Sequence, residues 1–355
     1  MVFYSLLFSG ICFFGIPSDG ENSFSSFIFA TVAFLIVYFL SKFYIYISAK
    51  ANITHGAANI PKFAAIAVYF LLFIAFVCLY CVFTGELSDT LPVISKEFEG
   101  GRFSHFFVIL SLFLALYIGK REFTSYSRIC LLCLPLLILP YVLTAFDFIG
   151  YKADILSMLP KFDLSFKPMY LANGFVICAG ISAVLIIINE KSESNFKVPG
   201  LGWAFILFAV SSAVELIKHI LWFGSYGLEF VLRPDRTMLA QVPYINVQEL
   251  FLVSYYISYI LKISVCCAAA RLMLQKAVKK ITGKESVSVV FAYGMTAAAA
   301  YGFYAVYRGI SGDGLGIIPA IAAQFVIFAV IILHELARIL LKKRRNDRGG
   351  AYPRL

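Results

Sequence analysis

A chain of 355 residues that is 61% hydrophobic, 17% aromatic and only 14% charged, with a mean hydropathy of +0.86, excludes an ordinary soluble domain, in which charged residues make up about 25%. The formal charge of +10 does not indicate a nucleic-acid partner, because Lys and Arg gather in short segments flanking apolar runs, where they carry topology information. With lipid as the main solvent, the length reads as one membrane domain rather than two soluble ones.

A transmembrane helix needs about 20 mainly apolar residues. The sequence offers ten such runs: Val2–Pro17, Phe24–Tyr46, Phe63–Phe83, Phe106–Ile118, Ile129–Phe148, Met169–Ile188, Leu201–Phe223, Leu250–Leu274, Val287–Tyr307 and Leu315–Leu341. The expected fold class is therefore all-α integral membrane, with a transmembrane domain over residues 1–341 and a basic cytoplasmic tail over 342–355. The first run has no basic n-region and no small-residue cleavage site. It reads as a span whose polar lead-in is short or precedes the sequence.

Within that first span lies Gly10-Ile11-Cys12-Phe13-Phe14-Gly15-Ile16-Pro17. In the third and fifth spans the pairs Cys78/Cys81 and Cys130/Cys133 have C-x-x-C spacing, but no His and no strand-turn-helix context accompanies them. The eight cysteines all lie in or beside apolar runs and read as small packing residues rather than metal or redox groups. Gly119-Lys120-Arg121-Glu122, followed by Arg128, marks the inner entrance to the fifth span and either orients that helix or locks an inward gate.

The sixth span carries Gly174 and Gly180, with Ser182 just beyond. Secondary transporters with inverted repeats bind solute near the midplane, at helices interrupted by Gly or Pro at matching positions in the two halves. First and sixth of ten is such a match, so a five-plus-five repeat would place both spans at its interface. Freed N–H groups there would hold a carboxylate, and freed carbonyls a cation. The alternative is that these glycines only let helices pack closely.

Glu215, Lys218 and His219 share a face of the seventh span; they form a self-compensating group or a proton relay. The outer loop that follows contains Arg233-Pro234-Asp235-Arg236 and would cap a vestibule. The eighth span holds Lys262 deep in an apolar run, and an intramembrane ionisable group is a functional candidate by default. Tyr255, Ser258, Tyr259, Lys262 and Cys266 fall on one helical stripe expected to face the bundle interior. Lys262 would hold a carboxylate or replace a coupling cation; the alternative is a tether to carbonyls of a neighbouring span. Glu249 lies about 20 Å earlier on that helix and is not its partner. His334, Glu335 and Arg338 near the end of the tenth span read as a snorkelling interfacial set, and Lys342-Lys343-Arg344-Arg345 as an anchor on anionic lipid.

With both termini cytoplasmic, 20 of the 30 Lys and Arg residues fall on the inner side and 8 on the outer, leaving Lys218 and Lys262 within spans. The positive-inside rule favours that orientation. No nucleophile with its base, no P-loop and no metal cluster is present, so neither enzymatic activity nor a cofactor nor a metal is expected.

Gly10 to Pro17 resembles the glycine-rich, proline-ended first span of the spore-germination permeases, the B subunits of germinant receptors in the amino acid–polyamine–organocation superfamily. The stretch from Gly119 through Glu122 and Arg128 to Asp147 and Leu159-Pro160 is similar to that family around spans four to six. So are Asn189-Glu190, Pro243, Glu249-Leu250-Phe251 and Lys262-Ile263-Ser264, a Lys at this point being usual in the family. The loop from Ala49 to Pro61 departs from the family's glycine-lysine pattern.

The resemblance implies a leucine-transporter-like inverted repeat in the spore inner membrane. It also implies sensing of a nutrient such as an amino acid, together with a large membrane subunit and a lipoprotein. The solute site would be drawn from Gly10, Gly15, Gly174, Gly180, Ser182, Tyr255, Ser258 and Lys262, with Glu122 and Arg128 as gate or structural residues. A stand-alone amino-acid or polyamine transporter is the alternative function, and a non-transporting scaffold a third.

Overall fold

A computed structural model of the chain describes residues 23–53, 60–97, 166, 168–191, 247–283, 293–299 and 317–349, together with 110, 128–129, 132–133, 135–136, 139, 201–202, 206, 209–210, 213 and 302–303. All the secondary structure described is helical. Five long helices stand out: α1 (Ser23–Ile53), α2 (Lys62–Glu97), α3 (Pro168–Lys191), α4 (Val247–Thr282) and α5 (Ile317–Gly349). They contain the second, third, sixth and eighth apolar runs and the tenth from its third residue on.

Four of them include stretches long and apolar enough to cross a membrane: Phe27–Ala51, Lys62–Gly85, Tyr256–Thr282 and Pro319–Leu341. At 1.5 Å per residue these are about 35–40 Å long, enough for a hydrocarbon core of about 30 Å. The apolar stretch within α3 is shorter, Cys178–Asn189.

The outward faces identify the solvent. On α1 the exposed side chains are Val32, Ile36, Phe39, Phe43 and Tyr46, spaced by three and four residues. On α5 they include Val326, Leu333 and Leu340, one heptad apart, and Leu333 is 63% exposed; Phe63 on α2 reaches 85%. A helix in water carries charge on that face, whereas one that is apolar all round is surrounded by protein or lipid. The architecture is that of an all-α membrane protein.

Without a hydrophobic drive between helices in lipid, close packing of small residues holds such a bundle together. The buried faces match this: Ala30 and Ala33 on α1, Cys178, Ala179 and Ala183 on α3, Cys266, Cys267, Ala269, Ala270 and Ala277 on α4. None of the six cysteines described, Cys78, Cys81, Cys133, Cys178, Cys266 and Cys267, is in a disulfide.

The chain divides into two compact units, Met1–Tyr38 with Arg121–Ile181 and Pro199–Lys262, and Phe39–Lys120 with Ser182–Val198 and Ile263–Leu355. In the first, Phe166 just ahead of α3 meets Phe29 edge-on with ring centres 5.0 Å apart. Eight residues on, Gly174 abuts Ala30 and Ala33 so closely that a Cβ on it would lie 2.7 Å from the Ala30 Cα and from the Ala33 Cβ. Contacts advance in the same direction on both helices, so α1 and α3 run parallel there.

In the second unit Asn189 of α3 bonds both Tyr44 and Ser48 of α1. The same unit pairs α2 with α4 in the opposite sense. Lys62 Nζ donates to the Ile281 carbonyl at 3.4 Å, and Lys276 Nζ lies 5.6 Å from the Tyr69 ring centre, so an advance along α2 is a retreat along α4. Where they meet, the Ala65 amide donates to the Pro61 carbonyl and opens α2. Gly283, at φ 68°, closes α4 with its amide donating to the Lys279 carbonyl, in the left-handed conformation that glycine adopts at a helix C-terminus. Lys279 and Lys280 in that last turn, and Lys62 from α2, put positive charge at the negative end of the α4 dipole. α5 packs against α2.

Candidate functional site

The first unit buries an ammonium. Lys262 of α4 is 1% exposed, in a stretch where Ser258, Tyr259 and Leu261 are also buried. Taking such a charge out of water costs several kcal/mol, on the order of the effective penalty for any buried ion, unless neighbouring groups compensate it. One compensation is the ring of Tyr259, one turn earlier, whose centre lies 5.2 Å from Nζ. Ser258, a full turn before Lys262 on the same face, is fully buried and its Oγ has no hydrogen-bond partner.

An ammonium, an aromatic face and an unused hydroxyl are binding groups. The first suits a carboxylate, the second an apolar or cationic portion of a solute, and the third donates to or accepts from either. Burial extends around the helix here, so the stripe is marked by its chemistry and not by burial alone.

No protein-family model and no curated protein matches the chain.

The remaining site residues named from sequence fall in several places. α3 is continuous from Pro168 to Lys191, so no interruption occurs at Gly174 or Gly180. Gly174 takes the close-packing role against Ala30 and Ala33; Gly180 is buried in the first unit and Ser182 in the second. Tyr255 lies within α4, its side chain outside the described residues. Arg128 is helical and exposed. Gly10, Gly15 and Glu122 lie outside the described residues, as do the seventh-span trio Glu215, Lys218 and His219, the loop from Arg233 to Arg236, and the side chains of the tail.

In the second unit the tenth-span set differs from a snorkelling one. Glu335 is 5% exposed and receives Arg338 Nη1 at 2.9 and 3.2 Å on its two oxygens. His334 Nδ1 stands 3.5 Å from Glu335, and the His334 ring lies 6.1 Å from that of Tyr69. The carboxylate turns inward, where Arg338 one turn on and the adjacent His334 meet it.

Two polar groupings escaped sequence reading. One is the bonding of Asn189, named from sequence only within the Asn189-Glu190 of the resemblance, to Tyr44 and Ser48. The other is Arg271, one of the 20 inner-side cations by sequence, whose guanidinium lies 4.8 Å from the ring centre of Tyr293.

Proposed function

We propose that this chain is the permease-like, nutrient-sensing subunit of a spore germinant receptor, binding a small solute, in the first instance an amino acid, through the Ser258–Lys262 face of α4. The observation that carries the reading is the buried Lys262 ammonium with the Tyr259 ring beside it and the unused Ser258 hydroxyl one turn away. It occurs on the helix whose Glu249-Leu250-Phe251 and Lys262-Ile263-Ser264 resemble the germination permeases.

In this reading the chain has ten spans in a leucine-transporter-like five-plus-five repeat, with both termini cytoplasmic. The helix directions support it. Second and sixth spans must run parallel in an unbroken alternation, and third and eighth opposed, as α1 with α3 and α2 with α4 do. Because α3 is helical throughout, its glycines supply no freed backbone donors within the described residues, and the carboxylate-holding role rests on Lys262. Binding would act by differential affinity for two states of the bundle, outward-open and occluded, and a large membrane subunit and a lipoprotein would read the change.

The test is equilibrium binding of common L-amino acids to the purified chain in nanodiscs, paired with uptake by liposomes holding this chain alone. Saturable binding without concentrative flux is expected. Robust flux would make the chain a self-sufficient transporter, and no binding to any amino acid, with or without the partner subunits, would remove the proposal.

A further inference from the structure

Arg271 and Tyr293 belong to one unit and touch through the guanidinium and the ring face, 4.8 Å from the centroid. A ring face meets the cation through its charge and takes up none of the N–H donors that lie in the guanidinium plane. Arg271 Nε is buried without a hydrogen-bond partner, and so is the Tyr293 hydroxyl. The Arg271 residue as a whole remains partly exposed.

No described carboxylate serves it. Glu335, the one acidic side chain among the described residues, is engaged by Arg338 and His334. Position sharpens the point, since Arg271 stands eleven residues, about 16 Å, before the α4 terminus at Thr282 and inside a stretch apolar enough to cross a membrane. A guanidinium there that no described carboxylate meets has donors to satisfy in a medium that hydrates them poorly. A planar fork beside an unused hydroxyl matches the oxygens of a carboxylate or phosphate, which arginine holds with two parallel bonds.

We propose that Arg271 and Tyr293 form an oxyanion site, distinct from the Ser258–Lys262 face, in which the guanidinium fork takes two oxygens and the Tyr293 hydroxyl donates to one of them. The oxyanion comes from a soluble anion or from the phosphate of an anionic lipid, and the two sources separate experimentally.

The full chain is placed in phosphatidylcholine nanodiscs and its thermal midpoint followed during titration with inorganic phosphate. In parallel, nanodiscs containing phosphatidylglycerol are used without phosphate. A ligand bound only by the folded state raises the midpoint with concentration. A rise with phosphate assigns the site to a soluble oxyanion, and a rise with phosphatidylglycerol alone assigns it to lipid.

Arg271→Gln should abolish the response. Arg271→Lys, which keeps charge but loses the fork, and Tyr293→Phe, which loses one charge-assisted bond, should each weaken apparent affinity about tenfold. Without anion, Arg271→Gln should melt at or above the wild-type midpoint, because an uncompensated cation has been removed. The proposal is overturned if neither anion shifts the wild type, or if Arg271→Gln and Tyr293→Phe respond as the wild type does.

Discussion

Asn189 Nδ2 donates to the Tyr44 hydroxyl at 2.6 Å while its Oδ1 accepts from Ser48 Oγ at 2.9 Å, so one amide ties two successive turns of α1 to α3. Tyr44 and Ser48 are both buried, and each hydroxyl bonds this amide. Asn189→Leu should destabilise the chain by about 1 kcal/mol, the scale of interhelical hydrogen bonds in membrane proteins. In a double-mutant cycle with Tyr44→Phe, unfolding in detergent should show positive coupling. Strict additivity would mean the two groups do not interact.

At Gly174 a methyl group has nowhere to go. Its Cβ would sit 2.7 Å from both the Ala33 Cβ and the Ala30 Cα, and the second of these is backbone, so α1 and α3 would have to part. Gly174→Ala should cost about 1–3 kcal/mol, as overpacking generally does, and Ala33→Gly should restore only part of it, because the Ala30 contact persists. Thermal unfolding of the three variants checks this; an unchanged midpoint for Gly174→Ala would refute the close approach.

That contact also shows where sequence reasoning stops. Glycines that interrupt a helix and glycines that let two helices touch are written alike, and only the neighbour at Gly174 separates the roles. Apolar runs placed the starts of α2 and α3 within one residue, yet α4 runs past Leu274 to Thr282 and α5 past Leu341 to Gly349. Hydropathy reports lipid thickness, whereas a helix stops where the backbone turns, as it does at Gly283. Lys262 was legible because a charge in an apolar run is conspicuous. Arg271 was not, since a count of cations cannot register whether each has a partner.

Glu335 and Arg338 make a pair whose two halves should cost differently. Arg338 keeps 31% of its side chain exposed and can turn to solvent or head groups when Glu335 is removed, so Glu335→Ala should cost about 1 kcal/mol or less, as partly exposed pairs do. Arg338→Ala strands a carboxylate that is almost wholly buried, with His334 its one remaining partner among the described residues, and should cost about 2 kcal/mol, below the range for fully buried pairs. Measured midpoints in the reverse order would show that Glu335 reaches solvent more easily than its burial suggests.

Lys262 separates a binding role from a tethering one by the sign of its effects. Met fills nearly the same volume without charge, so at a binding lysine Lys262→Met should leave the unliganded midpoint unchanged or raised, since replacing a buried ion by an apolar side chain is often neutral or stabilising. The same variant should lose amino-acid affinity by at least about tenfold, the worth of a charged hydrogen bond. Ser258→Ala should lower affinity less and also leave the midpoint intact, because its hydroxyl has no partner to lose. A tether predicts the opposite pattern: Lys262→Met would lower the midpoint by abandoning the carbonyls it holds, with any surviving affinity unchanged. Measuring midpoint and affinity on the same preparations decides between them, and a variant altered in neither would leave Lys262 with no part in sensing.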